Sequence, residues 1–271
     1  MNKYLFLRTF LFLLCAFSLS FSSQLIGQEE AKTAAGLYND GLALLKAKNY
    51  AEGLTTMEEA LALAQESDGD NEKVIGLAKK NGALAAYNVG KSKLKSKAFD
   101  EALSYFNKGI QMNPAYSSNY IGKARVEADN GSKTDAIASF MKAAEVATAA
   151  GKQKKVDEAH KRAKSLVTSA YKAKNDADVV TLGKAFLAGT SNSDVSYYVG
   201  KSLMNQDNHA DAVSHFDNAL TGTPEKKDRI IYAKAESLEK QGKNAEAVAA
   251  YKLITDEKYK ANAVHKISTL K

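Results

Sequence analysis

The chain is 271 residues long, 45% hydrophobic, without tryptophan and with only two prolines. Its 38 Lys and Arg against 31 Asp and Glu give a net charge of +7, mild, interspersed with acids, and with no five-residue basic run. That excludes the concentrated basic stripe that nucleic-acid binding needs. So few prolines leave helices almost uninterrupted.

The first residues read as an address. Lys3 and Arg8 precede an uncharged run, Thr9–Ser23, rich in Leu and Phe and ending in small residues. A basic start, an apolar stretch and small residues in that order are the pattern of a secretory signal. The run of 15 residues falls short of the roughly 20 that span a bilayer as a helix. Cleavage after Ser22 or after Gly27 follows, in preference to an uncleaved anchor, and makes residues 1–27 the signal. A lipoprotein signal is disfavoured because Leu14, not a small residue, precedes Cys15. Cys15 is the sole cysteine, so the processed chain has no thiol for a disulfide, thiolate catalysis or metal ligation. Loss of Lys3 and Arg8 leaves 36 basic residues against 31 acidic ones. The expected compartment is the periplasm, with no transmembrane span in the mature chain and peripheral association with the envelope left open.

Further along, two stretches echo each other: Tyr87-Asn88-Val89-Gly90-Lys91-Ser92 and Tyr197-Tyr198-Val199-Gly200-Lys201-Ser202. Each is followed at the same interval by a small–aromatic–small series, Ala102, Phe106, Gly109 and Ala212, Phe216, Ala219, and closes on Pro114 or Pro224. Residues three and four apart share a helix face. The spacing predicts a first helix with Gly90 midway and a second that faces it with Ala102 and Gly109, beside Phe99 and Phe106. The short Lys97-Ala98 link makes the two antiparallel, and Pro114 ends the second helix. Recurrence of such hairpins at a fixed period is the mark of a solenoid.

On these residues the chain resembles the tetratricopeptide-repeat family. Tyr87 to Pro114, YNVGKSKLKSKAFDEALSYFNKGIQMNP, is similar to the 34-residue pattern of that family. Other copies resemble it in chain order. A first, near 34–67, carries Leu37, Gly41, Leu44, Tyr50, Gly53, Met57 and Ala60; the second lies near 83–116. The third, near 117–150, carries Tyr120, Ala124, Gly131, Ala136, Phe140 and Ala143. A degenerate hairpin fits 152–190, over Val156–Asn175 and Ala177–Leu187. The next, 193–226, carries Gly200, Leu203, Ala212, Phe216, Ala219 and Pro224. The last, 228–258, carries Ile231, Ala235, Leu238, Gly242, Ala247 and Tyr251. Residues 259–271, with Tyr259, Ala263, Val264, Ile267 and Leu270, form an amphipathic cap. The resemblance implies an all-α fold: one α–α superhelix over 28–271, of five to six hairpins with a C-terminal capping helix. The first two copies start 49 residues apart, so a polar loop around Glu66–Glu72 is expected to feed a lengthened helix, with Asp70 or Asn71 as N-cap.

Apparent chemical motifs give way to structural readings. Gly90-Lys91-Ser92 and Gly200-Lys201-Ser202 end like a phosphate-binding loop, yet Ala85 and Val195 stand where its first glycine belongs. Asp68-Gly69-Asp70-Asn71-Glu72 starts like a calcium loop but lacks the later turn and distal Glu. His209 and His215, six apart, do not share a helical face, and His160 and His265 are isolated. No catalytic residue, metal ligand or cofactor is expected, and the chain is not read as an enzyme.

The remaining candidate is the inner surface. The resemblance implies a concave groove lined by the first helix of each hairpin. Carried onto this sequence, its lining is Tyr38, Asn39, Tyr87, Asn88, Lys91, Lys95, Ile121, Arg125, Tyr197, Tyr198, Lys201, Asn205 and Tyr232. Tyrosine offers rigid apolar area with a polar tip, Asn can bond a peptide backbone, and the cations favour carboxylates. The expected function is that of a non-enzymatic scaffold or adaptor in the bacterial cell envelope, binding a peptide segment or partner protein. The alternative is a structural subunit of an envelope or secretion assembly that binds through its convex face or ends.

Overall fold

A computed structural model describes residues 32–67, 71–221 and 224–270. The signal segment, Cys15, Asp68–Asp70 and Lys271 lie outside the described residues. The described residues form thirteen α-helices and no strand: α1 Ala34–Lys46, α2 Tyr50–Glu66, α3 Glu72–Lys95, α4 Phe99–Met112, α5 Ser117–Asp129, α6 Lys133–Ala149 and α7 Gln153–Lys172. They continue as α8 Asp176–Leu187, α9 Ser193–Asn205, α10 His209–Leu220, α11 Lys227–Lys240, α12 Asn244–Tyr251 and α13 Glu257–Thr269. Each helix packs on the next, and each odd-numbered helix also touches the next odd-numbered one. This is an all-α superhelix of six hairpins closed by one more helix.

A single turn geometry repeats in every hairpin. The second residue after the odd helix takes up the left-handed region: Lys48, Lys97, Gly131, Lys174, Asp207 and Gly242 all have φ between 57° and 91°. The following amide reaches back five residues to the helix it has left, as in Asn49 N to Leu44 O (2.9 Å) and Ala98 N to Lys93 O (3.0 Å). The same bond recurs as Ser132 N to Glu127 O, Asn175 N to Ala170 O, Asn208 N to Leu203 O and Lys243 N to Leu238 O. This is the C-terminal motif that satisfies the last carbonyls of a helix and reverses the chain. Glycine fits there freely, whereas a side chain in that region costs about 1–2 kcal/mol. Replacing Lys97 by glycine is therefore expected to raise stability by about 0.5–1 kcal/mol, measured as a higher midpoint of urea unfolding. Gly131 and Gly242 already occupy this place, and alanine at either is expected to lower the midpoint.

The core is built from large side chains of the even helices set against small residues of the odd ones. Phe106 of α4 is 1% exposed and lies between two glycines. A β-carbon at Gly90 of α3 would sit 2.9 Å from its ring, and one at Gly122 of α5 would run into it. Phe216 meets Gly200 of α9 in the same way, at 2.6 Å. Gly109 has a different neighbour from the one the spacing suggested. It clears room for Asn119 of α5, which is fully buried and donates from Nδ2 to the Ala83 carbonyl at 3.1 Å. Small residues on α4 thus serve the next hairpin as well as their own.

The long spacing between the first two copies is taken up largely by helix. α2 has 17 residues and α3 has 24, and they pack along each other. Gly82 and Ala78 of the added turns are buried, with Met112 and Met57 against Gly82. Asn71 does stand at the N-cap position of α3, but its side chain makes no cap bond; its Nδ2 donates to Ser67 Oγ at 2.8 Å. At the far end α13 covers the last hairpin with Ala263, Tyr259, Ile267 and Leu270, while Val264 faces outward at 60% exposure.

Candidate functional site

Two odd helices and the start of one even helix build a basic recess. On α3, Asn88, Lys91 and Lys95 follow one another at intervals of three and four and so share a face. Arg125 and Asp129 do the same on the neighbouring α5, and Tyr50 reaches in from the first turn of α2. With Ser92 and Leu94 these residues line a cavity of about 550 Å³. Among the described residues, no carboxylate lies within ion-pair distance of Lys91, Lys95 or Arg125. Their neighbour Lys93 behaves differently. It pairs with Glu101 of α4, whose carboxylate accepts its hydrogen bond and raises its pKa. Lys108 is likewise held by Glu58 at 2.8 Å and Lys123 by Glu127 at 3.7 Å. Three cations against the single carboxylate of Asp129 leave the recess positive, a fit for a carboxylate brought by another molecule.

The recess gathers Asn88, Lys91, Lys95 and Arg125, four of the residues expected from the sequence. Asn88 has less freedom than a backbone-binding role would ask, because its Nδ2 already donates to the Leu84 carbonyl at 2.8 Å. The rest are spread along the stack. Tyr38 is half-buried and its hydroxyl accepts from Asn81 Nδ2 at 3.0 Å, tying α1 to α3; Asn39 is exposed beside it. Tyr87 packs on Phe106 and, edge-on, on Tyr116, each at 6.1 Å between centroids. Ile121 and Tyr197 are interior residues, 4% and 6% exposed, and present almost no surface to a groove. Tyr197 packs on Phe216 of α10, with the guanidinium of Arg229 above its ring, and burial drives its phenol pKa far up. Tyr198 stacks on Tyr171 at 4.3 Å, and Tyr232 packs between Tyr251 and Tyr259. Lys201 Nζ lies 3.5 Å from the Met204 sulfur, and Asn205 Nδ2 donates to the Asp176 carboxylate at 3.1 Å. Tyrosines at this position therefore serve packing both within and between hairpins. Arg229 and the polar cavity around it do not emerge from the sequence, which shows only one more cation beside Lys226 and Lys227.

Among the described residues, no group of three or more His, Cys, Asp or Glu is placed to hold a metal, and no helix is long and apolar enough to cross a membrane.

Two family models described as tetratricopeptide repeat match the chain, one over residues 83–116 and one over residues 197–263. Over these two stretches the chain carries tetratricopeptide repeats. The first window spans the second half of α3 through α4, and the second spans α9 to the middle of α13. Tetratricopeptide repeats of this kind make protein-interaction scaffolds. Among solved structures, the chain is similar to the P58(IPK) TPR domain at 16% identity and a TM-score of 0.39, covering 88% of this chain and 64% of that one. It thus spans less than two thirds of that domain's length. It is similar to MamA at 18% identity and 0.35, covering 68% and 91%. A complex of the yeast Sti1 TPR2AB domain with pHSP90 is similar at 13% identity and 0.34, covering 88% and 96%. A comparison with curated protein sequences found no match.

Proposed function

We propose that this tetratricopeptide stack is a non-enzymatic adaptor of the bacterial cell envelope that holds an acidic segment of a partner protein at the recess between α3 and α5. The observation that carries the reading is the trio Lys91, Lys95 and Arg125, which line one recess with no carboxylate paired to them among the described residues, whereas Lys93, Lys108 and Lys123 are each held by a glutamate. An incoming carboxylate gains charge-assisted contacts there. The envelope location is supported by Lys3, Arg8 and the Thr9–Ser23 run, which have the order of a secretory signal.

The test combines affinity purification with crosslinking from envelope fractions, using wild type and the variant Lys91→Glu/Lys95→Glu/Arg125→Glu. The expected outcome is a partner captured by wild type and weakened about a hundredfold or more in the variant, whose circular dichroism is unchanged. A partner retained by the variant would instead place binding on the convex face or the ends. Recovery of the protein with the cytoplasmic fraction would end the envelope reading.

A further inference from the structure

A second basic site lies elsewhere in the stack, where α9, α10 and α11 meet. Arg229, in the first turn of α11, holds its guanidinium carbon 4.0 Å from the centroid of the Tyr197 ring. The ring face attracts the cation and holds it at the junction of the helices. Its Nε is buried and has no hydrogen-bond partner, and among the described residues no carboxylate pairs with it. A desolvated cationic donor left unmatched is costly, and native proteins rarely keep one without use.

Arg229 borders a cavity of about 660 Å³ that also takes in Lys226, Ser191, Asn192 and Ser193. The carboxylates on its wall do not neutralise it. Asp194 is bound by Lys164 at 2.7 Å, and Glu225 is an exposed residue of the turn before α11. The Asn192 side-chain oxygen accepts from the Val195 amide, which leaves its NH2 group as a donor. Two cations, an amide donor and two hydroxyls thus converge on a space that holds one uncommitted acid.

We propose that this cavity binds an oxyanion, a carboxylate or phosphate group, in the fork of Arg229 with Lys226 as the second cation. The site is independent of the recess at α3 and α5. A planar guanidinium grips two oxygens at once, which the point charge of a lysine cannot do.

The experiment follows the Arg229 Nε–Hε resonance and the unfolding midpoint of the full mature chain. Inorganic phosphate and acetate are titrated separately up to about 100 mM, against chloride of matched ionic strength so that general screening is constant. The expected result is a saturable shift of the Arg229 resonance and a rise in midpoint with at least one of the two anions. Saturation by phosphate alone, acetate alone or both supports the site and identifies its source chemistry. Lys226→Gln, at an exposed position, is expected to weaken that saturation about two- to fivefold. Arg229→Lys keeps the charge and is expected to weaken it about tenfold, read from the midpoint. Lys91→Glu/Lys95→Glu/Arg125→Glu should titrate like wild type, so the outcome stands apart from that of the proposed adaptor role. Failure of both anions to saturate, or saturation unchanged by Lys226→Gln, overturns the proposal.

Discussion

Phe106→Ala is expected to lower the unfolding free energy by about 3–5 kcal/mol, the cost of emptying a buried aromatic site. The reason lies in the two glycines on either side of the ring. A void between α3 and α5 could close only if those helices moved together. Gly90 and Gly122 already bring their backbones so near the ring that a β-carbon on either would crowd it. The loss should also be local in origin, because a solenoid is stabilised by nearest-neighbour interfaces. Amide exchange is expected to accelerate first in α3, α4 and α5, with α9 to α12 protected as before. Phe106→Leu, which keeps most of the apolar volume, should cost about 1 kcal/mol. An equal loss of protection along the whole stack would show that the ring is not a local wedge.

Removing residues 257–271 should cost the last hairpin about 3 kcal/mol, since α13 packs Tyr259, Ile267 and Leu270 over it and buries Ala263. It also takes away Lys266, which holds Glu239 at 2.8 Å while Tyr251 donates to that same carboxylate at 3.1 Å. Exchange in α11 and α12 is then expected to speed up about a hundredfold, at about 1.36 kcal/mol per tenfold, with α1 to α6 unaffected. Unchanged exchange in α11 and α12 would refute a capping role.

Acid should loosen the same end. Asp228 of α11 accepts from the Thr255 amide (2.6 Å), the Asp256 amide (2.5 Å) and the Thr255 hydroxyl (3.0 Å), fastening the turn that leads into α13. Burial alone would raise its pKa, but the bonds from Asp256 and Thr255 outweigh it, and the folded value lies below the ordinary 3.8. Stability from a depressed carboxylate is complete above the ordinary value and is lost as pH falls through the folded one. The cap therefore holds at neutral pH and is expected to release below about pH 4, seen as faster amide exchange in α13.

Much of this fold was legible because the motif is one of size. Gly41, Gly90, Ala124, Gly200 and Ala235 mark the odd helices, and twelve residues after each comes another small residue: Gly53, Ala102, Ala136, Ala212 or Ala247. Four residues further stand Met57, Phe106, Phe140, Phe216 and Tyr251, all buried. The fourth hairpin carries the same geometry with the sizes exchanged. At those three places it has Val167, Val179 and Gly183. The missing large side chain is supplied by Val199 of α9, which fills the space a β-carbon at Gly183 would need. Complementary replacement preserves the packed volume and erases the signature, so this hairpin reads as degenerate. The candidate site was less legible. The family resemblance placed Asn88, Lys91, Lys95 and Arg125 along the groove, but whether a nearby acid neutralises each cation depends on contacts between hairpins. Tyr197 and Arg229 show the same limit, since their stacking joins residues 32 positions apart.

The even helices add one asymmetry of their own. Among the described residues, α6 and α8 are the one even pair whose backbones come close across the outer side; α2 and α4 are linked there only at side-chain level, by the Lys108–Glu58 ion pair. A strip linked along one edge bends like a leaf spring, but a strip braced along both edges does not. Flexing of the stack should thus concentrate on either side of the α6–α8 brace, which would let the recess at α3–α5 and the cavity at α9–α11 change their separation while each keeps its own shape.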